Sequence, residues 1–230
     1  SGATTVAGPI SLYGGNVALN ANLAATATGA DILVKAIGYI TSTASRSFTT
    51  HNGDFTLWSG SAGATSGAYI NLGDSLTINT SATGASTSQT TGGGSITLGG
   101  GSASTTLASG SVVPTGAARS GGSDTTYGLL LGSSSTGTAS IYSGGGNISL
   151  NGSSQTSSGT LMGLVLKGND TLAAGSGNIT LTGASNSQHG VELLGYGSNV
   201  LSSSSNATTA IQITGTSTST IYYGVQMGYW

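Results

Sequence analysis

The sequence predicts an all-β chain wound as a right-handed parallel β-helix (a β-solenoid) with Gly/Ser/Thr/Asn-rich turns and about 8–11 coils. Three observations predict it. Apolar residues fall in short runs that alternate with polar ones, which is the period of a strand. Two kinds of run, each opened by glycine, recur in alternation through the C-terminal half. Finally, Gly numbers 41 and Ser plus Thr supply about a third of the 230 residues, which suits sharp turns and disfavours helix.

The first kind of run is Gly15-Asn16-Val17-Ala18-Leu19-Asn20, repeated as Gly146-Asn147-Ile148-Ser149-Leu150-Asn151 and Gly177-Asn178-Ile179-Thr180-Leu181-Thr182. Gly53-Asp54-Phe55-Thr56-Leu57 and Gly94-Ser95-Ile96-Thr97-Leu98 are variants of it. Period 2 turns Val17 and Leu19, Ile148 and Leu150, and Ile179 and Leu181 inward. Asn16, Asn147 and Asn178 then sit at equivalent corners, where a carboxamide can bond neighbouring backbone.

The second kind is Tyr127-Gly128-Leu129-Leu130-Leu131, Gly163-Leu164-Val165-Leu166-Lys167, Gly190-Val191-Glu192-Leu193-Leu194 and Gly224-Val225-Gln226-Met227. Here Leu164, Leu166, Val191 and Leu193 point inward, as do Ile211 and Ile213 near the end of the chain. The rare charges agree with this phase. Lys35, Lys167 and Glu192 all fall on outward positions, and a charge inside an apolar bore is costly.

Residues 152–160, 184–188 and 202–209 are Gly/Ser/Thr/Asn-rich and read as turns. Residues 99–124, with Pro114 and Arg119, are the least regular and are expected to form an irregular loop or insertion leaving the solenoid. Residues 1–230 read as a single solenoid domain, a segment of a longer repetitive protein with no signal peptide of its own. At about 20–30 residues per coil the rod would be about 40–50 Å long.

Composition excludes several functions. Only 4% of residues are charged, against about 25% in an ordinary soluble domain. The cations Lys35, Arg46, Arg119 and Lys167 are scattered, so no phosphate-neutralising patch is predicted and nucleic acid is not an expected partner. No run approaches the length of a membrane-spanning helix, so membrane insertion is not expected of this segment. Cysteine is absent, so disulfides say nothing about compartment.

The strings Gly14-Gly15-Asn16-Val17-Ala18-Leu19-Asn20, Ala30-Asp31-Ile32-Leu33-Val34-Lys35, Gly145-Gly146-Asn147-Ile148-Ser149-Leu150 and Ser176-Gly177-Asn178-Ile179-Thr180-Leu181 resemble repeats of filamentous-haemagglutinin-like and autotransporter-like bacterial surface proteins. The resemblance covers most of the chain and is weakest from Gly99 to Asp124. It implies a right-handed β-helix, export to the bacterial cell surface, and a role in adhesion, aggregation or biofilm. It supplies no catalytic motif, and the chain is not expected to be an enzyme. The alternative is a subunit of a self-assembling extracellular filament or sheath. Partners are accordingly neighbouring repeats or identical subunits, and host or environmental glycans.

No cofactor or metal site is predicted. His51 and His189 stand far apart with no Cys partner and read as exposed turn residues. Asp170 and Glu192 are the best carboxylate pair for glycoside hydrolysis, because their spacing is near one coil and could stack them on adjacent coils. Asp170 opens a turn and Glu192 faces outward, which argues against the pair. Thr216, Thr218 and Thr220 alternate like an ice-binding ladder, but Thr-x-Thr does not recur at the coil period. The aromatic C-terminus is the candidate surface for end-to-end stacking or ligand stacking, through Tyr222, Tyr223, Tyr229 and Trp230.

Overall fold

Stacking the glycine-opened runs gives three parallel sheets. The structure, a computed structural model, describes residues 2–82, 89–121, 127–155, 161–195, 200–202 and 210–228, with backbone alone at 200–202. Sheet A holds Thr4–Val6, Leu23–Thr28, Ser47–His51, Leu76–Asn79, Ala139–Tyr142, Thr171–Ala173 and Val200–Ser202. Sheet B holds Ile10–Gly14, Ile32–Ala36, Phe55–Ser59, Ile96–Thr106, Ile148–Ser154, Ile179–Ser185 and Ile211–Ser217. Sheet C holds Val17–Leu19, Ile40–Ser42, Ile70–Leu72, Leu129–Leu131, Leu164–Lys167, Val191–Leu194 and Val225–Met227. The chain visits A, B and C in turn, and each strand pairs with its counterparts one coil away, which is a parallel β-helix.

Among the described residues seven strands stack along each sheet, with two more strands of sheet B off that path, which makes seven coils, fewer than the repeat spacing suggested. The spacing between Asn147 and Asn178 is itself one full coil, since Ile148 pairs with Ile179. Each coil carries three strands and long corner loops, so the rod is shorter, about 30 Å at about 4.8 Å per step.

Inward residues stack in columns. Ile32, Phe55, Ile96, Ile148 and Ile179 lie in register along sheet B, with Val34, Leu57, Leu98, Leu150 and Leu181 two residues on. All ten are buried. Leu19, Leu164, Leu166, Val191 and Leu193 join the same core, and Val17 packs against it only half-buried in the first coil. Ile211 corrects the expectation. It continues the Ile148–Ile179 column, yet it is 41% exposed because it lies in the last coil, and Ile213 beside it is only partly buried. Phe48 and Phe55 stack inside the bore at 5.6 Å, so one coil accommodates two rings.

Glycines set the corners. At the entry to sheet B, a Cβ on Gly177 would lie 2.0 Å from the carbonyl oxygen of Gly146, one coil away. Gly53, Gly94 and Gly146 meet backbone in the same way, which is why the first run opens on glycine. Asn147 and Asn178 share this corner, and the Asn178 N–H donates to Asn147 Oδ1 at 2.9 Å. Asn16 does not share it. It precedes a sheet C strand, where its Oδ1 accepts the Tyr39 N–H at 3.2 Å, the same task at a different corner.

Within residues 99–124, expected to be irregular, the described part up to residue 121 is regular. Ile96–Thr106 overruns its sheet, Val112–Gly116 returns antiparallel to it across a bulge, and Ala118–Ser120 then pairs parallel to Ile148–Ser154. Alternation of small residues hid the hairpin, because Gly and Ser carry no strand signature in sequence.

Candidate functional site

The hairpin folds over the outer face of sheet B and makes a roofed groove. Its floor is a row of hydroxyls: Thr97, Ser149 and Thr180 are cross-strand neighbours on the outward phase. One side is the corner column of Ser95, Asn147 and Asn178, and the roof is Leu107, Val113 and Pro114. The enclosed volume is about 350 Å³, within the range of roughly 300–1,000 Å³ typical of ligand clefts. Among the described residues no charged side chain lines it.

Three devices hold the roof in place. The Leu107 N–H donates to Ser111 O at 2.9 Å and closes the hairpin tip. Ser109 Oγ donates to Asp54 Oδ2 at 2.5 Å, and Ser111 Oγ donates to Asp31 Oδ2 at 2.7 Å. At the base, Trp58 Nε1 donates to Gly101 O at 2.7 Å, with Lys35 Nζ 3.9 Å from the Trp58 ring centroid. Trp58 is thereby buried although it faces outward.

Asp31 and Asp54 belong to the corner column. Asp31 Oδ1 accepts the Asp54 N–H at 2.7 Å, Asp54 Oδ1 accepts the Ser95 N–H at 2.6 Å, and Ser95 Oγ accepts the Asn147 N–H at 3.3 Å. A polar ladder thus climbs from Asp31 to Asn178. Where the hairpin docks, the ladder uses Asp, whose second oxygen remains available to the serines of the tip. The replacement of Gly-Asn by Gly53-Asp54 was the signal in the sequence for this docking point. A smaller cleft of about 160 Å³, lined by Ser11, Asp31, Asp54 and Ser111 among others, lies on that side of the hairpin.

The other candidates separate. Asp170 precedes a strand of sheet A, whereas Glu192 lies on sheet C of the same coil, so the two do not stack on adjacent coils. Asp170 is buried, and its Oδ1 accepts the Ala139 N–H at 2.7 Å. Burial, opposed by that hydrogen bond and reinforced by the charge of Asp74, pushes its carboxyl up to about 7. Asp74 goes the other way: burial raises it, but donors from Ser133 and Ser134 outweigh burial and hold it below the ordinary value.

Glu192 keeps its outward phase, but it is buried between Val165 and Gln226, which corrects the expectation of an exposed charge. Its Oε2 has no hydrogen-bond partner among the described residues. Burial pushes its carboxyl up to about 7, against the pull of Lys167. A raised folded-state value favours the protonated acid, so this contribution is complete below the ordinary value of 4.5 and is lost as pH rises through about 7. Glu192→Gln, a neutral isostere, is expected to leave stability unchanged at low pH. Above neutrality it should stabilise by as much as about 3 kcal/mol. Urea titrations of both proteins across pH check this.

His189 is also buried rather than exposed. The Tyr223 N–H donates to its Nδ1 at 3.1 Å, Tyr222 meets the ring edge-on at 5.2 Å, and Tyr223 stacks on it at 5.9 Å. Burial depresses its pKa, against the opposing hydrogen bond at Tyr223. His51 is half-buried in a sheet A strand, with Nδ1 3.3 Å from Thr26 O. Tyr223 is 64% exposed beside Val225, Gln226 and Met227, while Tyr229 and Trp230 lie outside the described residues. The described residues bring together no group of three or more His, Cys, Asp or Glu able to hold a metal.

Comparison with protein families, with curated proteins and with solved structures finds no match to this chain.

Proposed function

We propose that this chain is a structural and adhesive stretch of a large exported bacterial surface protein, acting as a stiff rod that presents its polar faces and side groove. The observation that carries the reading is the stacking of every strand on its counterparts one coil away, which makes a single rod of three parallel sheets. Ile211, Ile213, Val225 and Met227 continue the inward columns of Ile179, Leu181, Val191 and Leu193 in perfect register. Yet Ile211 is 41% and Met227 61% exposed. Within the described residues each terminal coil pairs on one side only. Surface export rests on the resemblance of the repeats, and the reading contains no catalytic step.

A second reading has its own observation. Ile221, Tyr223 and Met227 are exposed together near the same end, a patch suited to a second copy of the chain stacked head to tail. Electron microscopy of the purified chain across a concentration series separates the two. Dispersed short particles at every concentration are the expected result for a stretch whose next coil is covalent. Long rods repeating at about 30 Å would instead establish the filament subunit. In that case Met227→Lys, which places a charge on the stacking edge, should abolish them.

A further inference from the structure

We propose that the hairpin-roofed groove on sheet B binds a neutral oligosaccharide. This rests on the adhesive reading above and names its ligand class and site. The chemistry of the lining selects the ligand. Floor and side offer only hydroxyls and carboxamides: Thr97, Ser149 and Thr180 below, Ser95, Asn147 and Asn178 beside them. Side chains of this kind donate and accept hydrogen bonds without a net charge. A phosphate, sulfate or carboxylate ligand would enter with no cation to meet it and would be desolvated at a loss. A purely apolar ligand would leave the polar floor unpaired, which is equally unfavourable.

The roof completes the match. Leu107, Val113 and Pro114, beside Thr105 and Thr115, put an aliphatic surface opposite that polar floor. A pyranose ring has the same two-sidedness, with hydroxyls at its rim and C–H groups on its faces. Floor strands about 4.8 Å apart repeat the hydroxyl row at a spacing close to the length of one sugar residue. Asn178, at the groove wall, keeps its Oδ1 buried and without a hydrogen-bond partner among the described residues. Asn151 Nδ2 donates to Thr115 O at 3.4 Å, tying floor to roof and keeping the groove formed when empty.

Calorimetric titration of the full chain with linear neutral hexasaccharides of glucose, mannose, galactose and N-acetylglucosamine, beside a sulfated one, tests this. At least one neutral chain should bind, with an affinity insensitive to added salt. Ser149→Trp fills the groove from a half-buried, outward position without touching the core, and should weaken binding by at least about tenfold. Circular dichroism and the unfolding midpoint of that variant should match the parent, showing that the loss is local. Failure of every neutral chain at millimolar concentration overturns the proposal, as does preference for the sulfated chain or binding that survives Ser149→Trp. Dispersed or filamentous particles in the microscope are unaffected by any of these results, so the groove can fail while the rod reading stands.

Discussion

Phe48→Ala is expected to destabilise the chain by about 3–5 kcal/mol, read as a shift of the urea midpoint at unchanged slope. Phe48 is fully buried and stacks on Phe55 of the same coil at 5.6 Å. Its neighbours in sheet A are Leu23 one coil before and Ile78 one coil after, both held in register by parallel backbone pairing. Rigid backbone on both sides prevents the site from collapsing, so deletion of the ring leaves most of its volume as a cavity. Ile211→Ala in the last coil is the comparison. Its side chain is 41% exposed and should cost less than about 1 kcal/mol. Equal losses at the two sites would contradict a core whose packing strengthens away from the terminal coil.

Gly183→Ala should cost at least about 3 kcal/mol, the opposite sign from a permissive Gly→Ala change. At the passage from sheet B to sheet C, two stretches of the same coil cross with nothing between their backbones. A Cβ on Gly183 would lie 2.0 Å from the Gly190 carbonyl oxygen and 2.7 Å from Val191 Cγ2. The same pairing recurs one coil either side, Gly152 against Gly163 and Gly215 against Gly224. An added methyl therefore forces backbone apart in a seam whose neighbours cannot yield. Gly8→Ala is the control, because nothing lies within 4 Å of its Cβ position. There, restriction of the unfolded chain should stabilise slightly, by up to about 1 kcal/mol. Equilibrium unfolding of the two variants side by side reads the contrast directly.

The seam also explains what the repeat meant. Gly163 and Gly190 open the second kind of run because a Cβ there would meet the backbone of Ala184 and Thr216 in sheet B strands one coil on, and Gly224 because it faces Gly215 of its own coil. Gly53, Gly94, Gly146 and Gly177 open the first kind because each meets the carbonyl of the coil before. In sequence these glycines read only as turn residues. Close approach of backbone between distant segments leaves no local trace beyond the glycine itself.

Several features were legible from residues alone. Alternation in Ile148–Leu150, Ile179–Leu181 and Leu164–Leu166 identified the strands and their inward faces, because a period of two has one physical interpretation when one face is apolar. The recurrence of glycine-opened runs led to stacked coils, because a single run cannot bury its own face. Others depended on which segments become neighbours. Phase made Glu192 an outward residue, but only the folded chain buries it, and only the folded chain buries His189 beside Tyr222 and Tyr223. The exposure of Ile211 follows from its place in the terminal coil rather than from its side chain. Most of all, the hairpin of Ile96–Thr106 and Val112–Gly116 docks on Asp31 and Asp54 across 55 to 80 residues of chain. Periodicity is local and records what a strand buries, whereas a groove is made by segments that meet only after the coils have stacked.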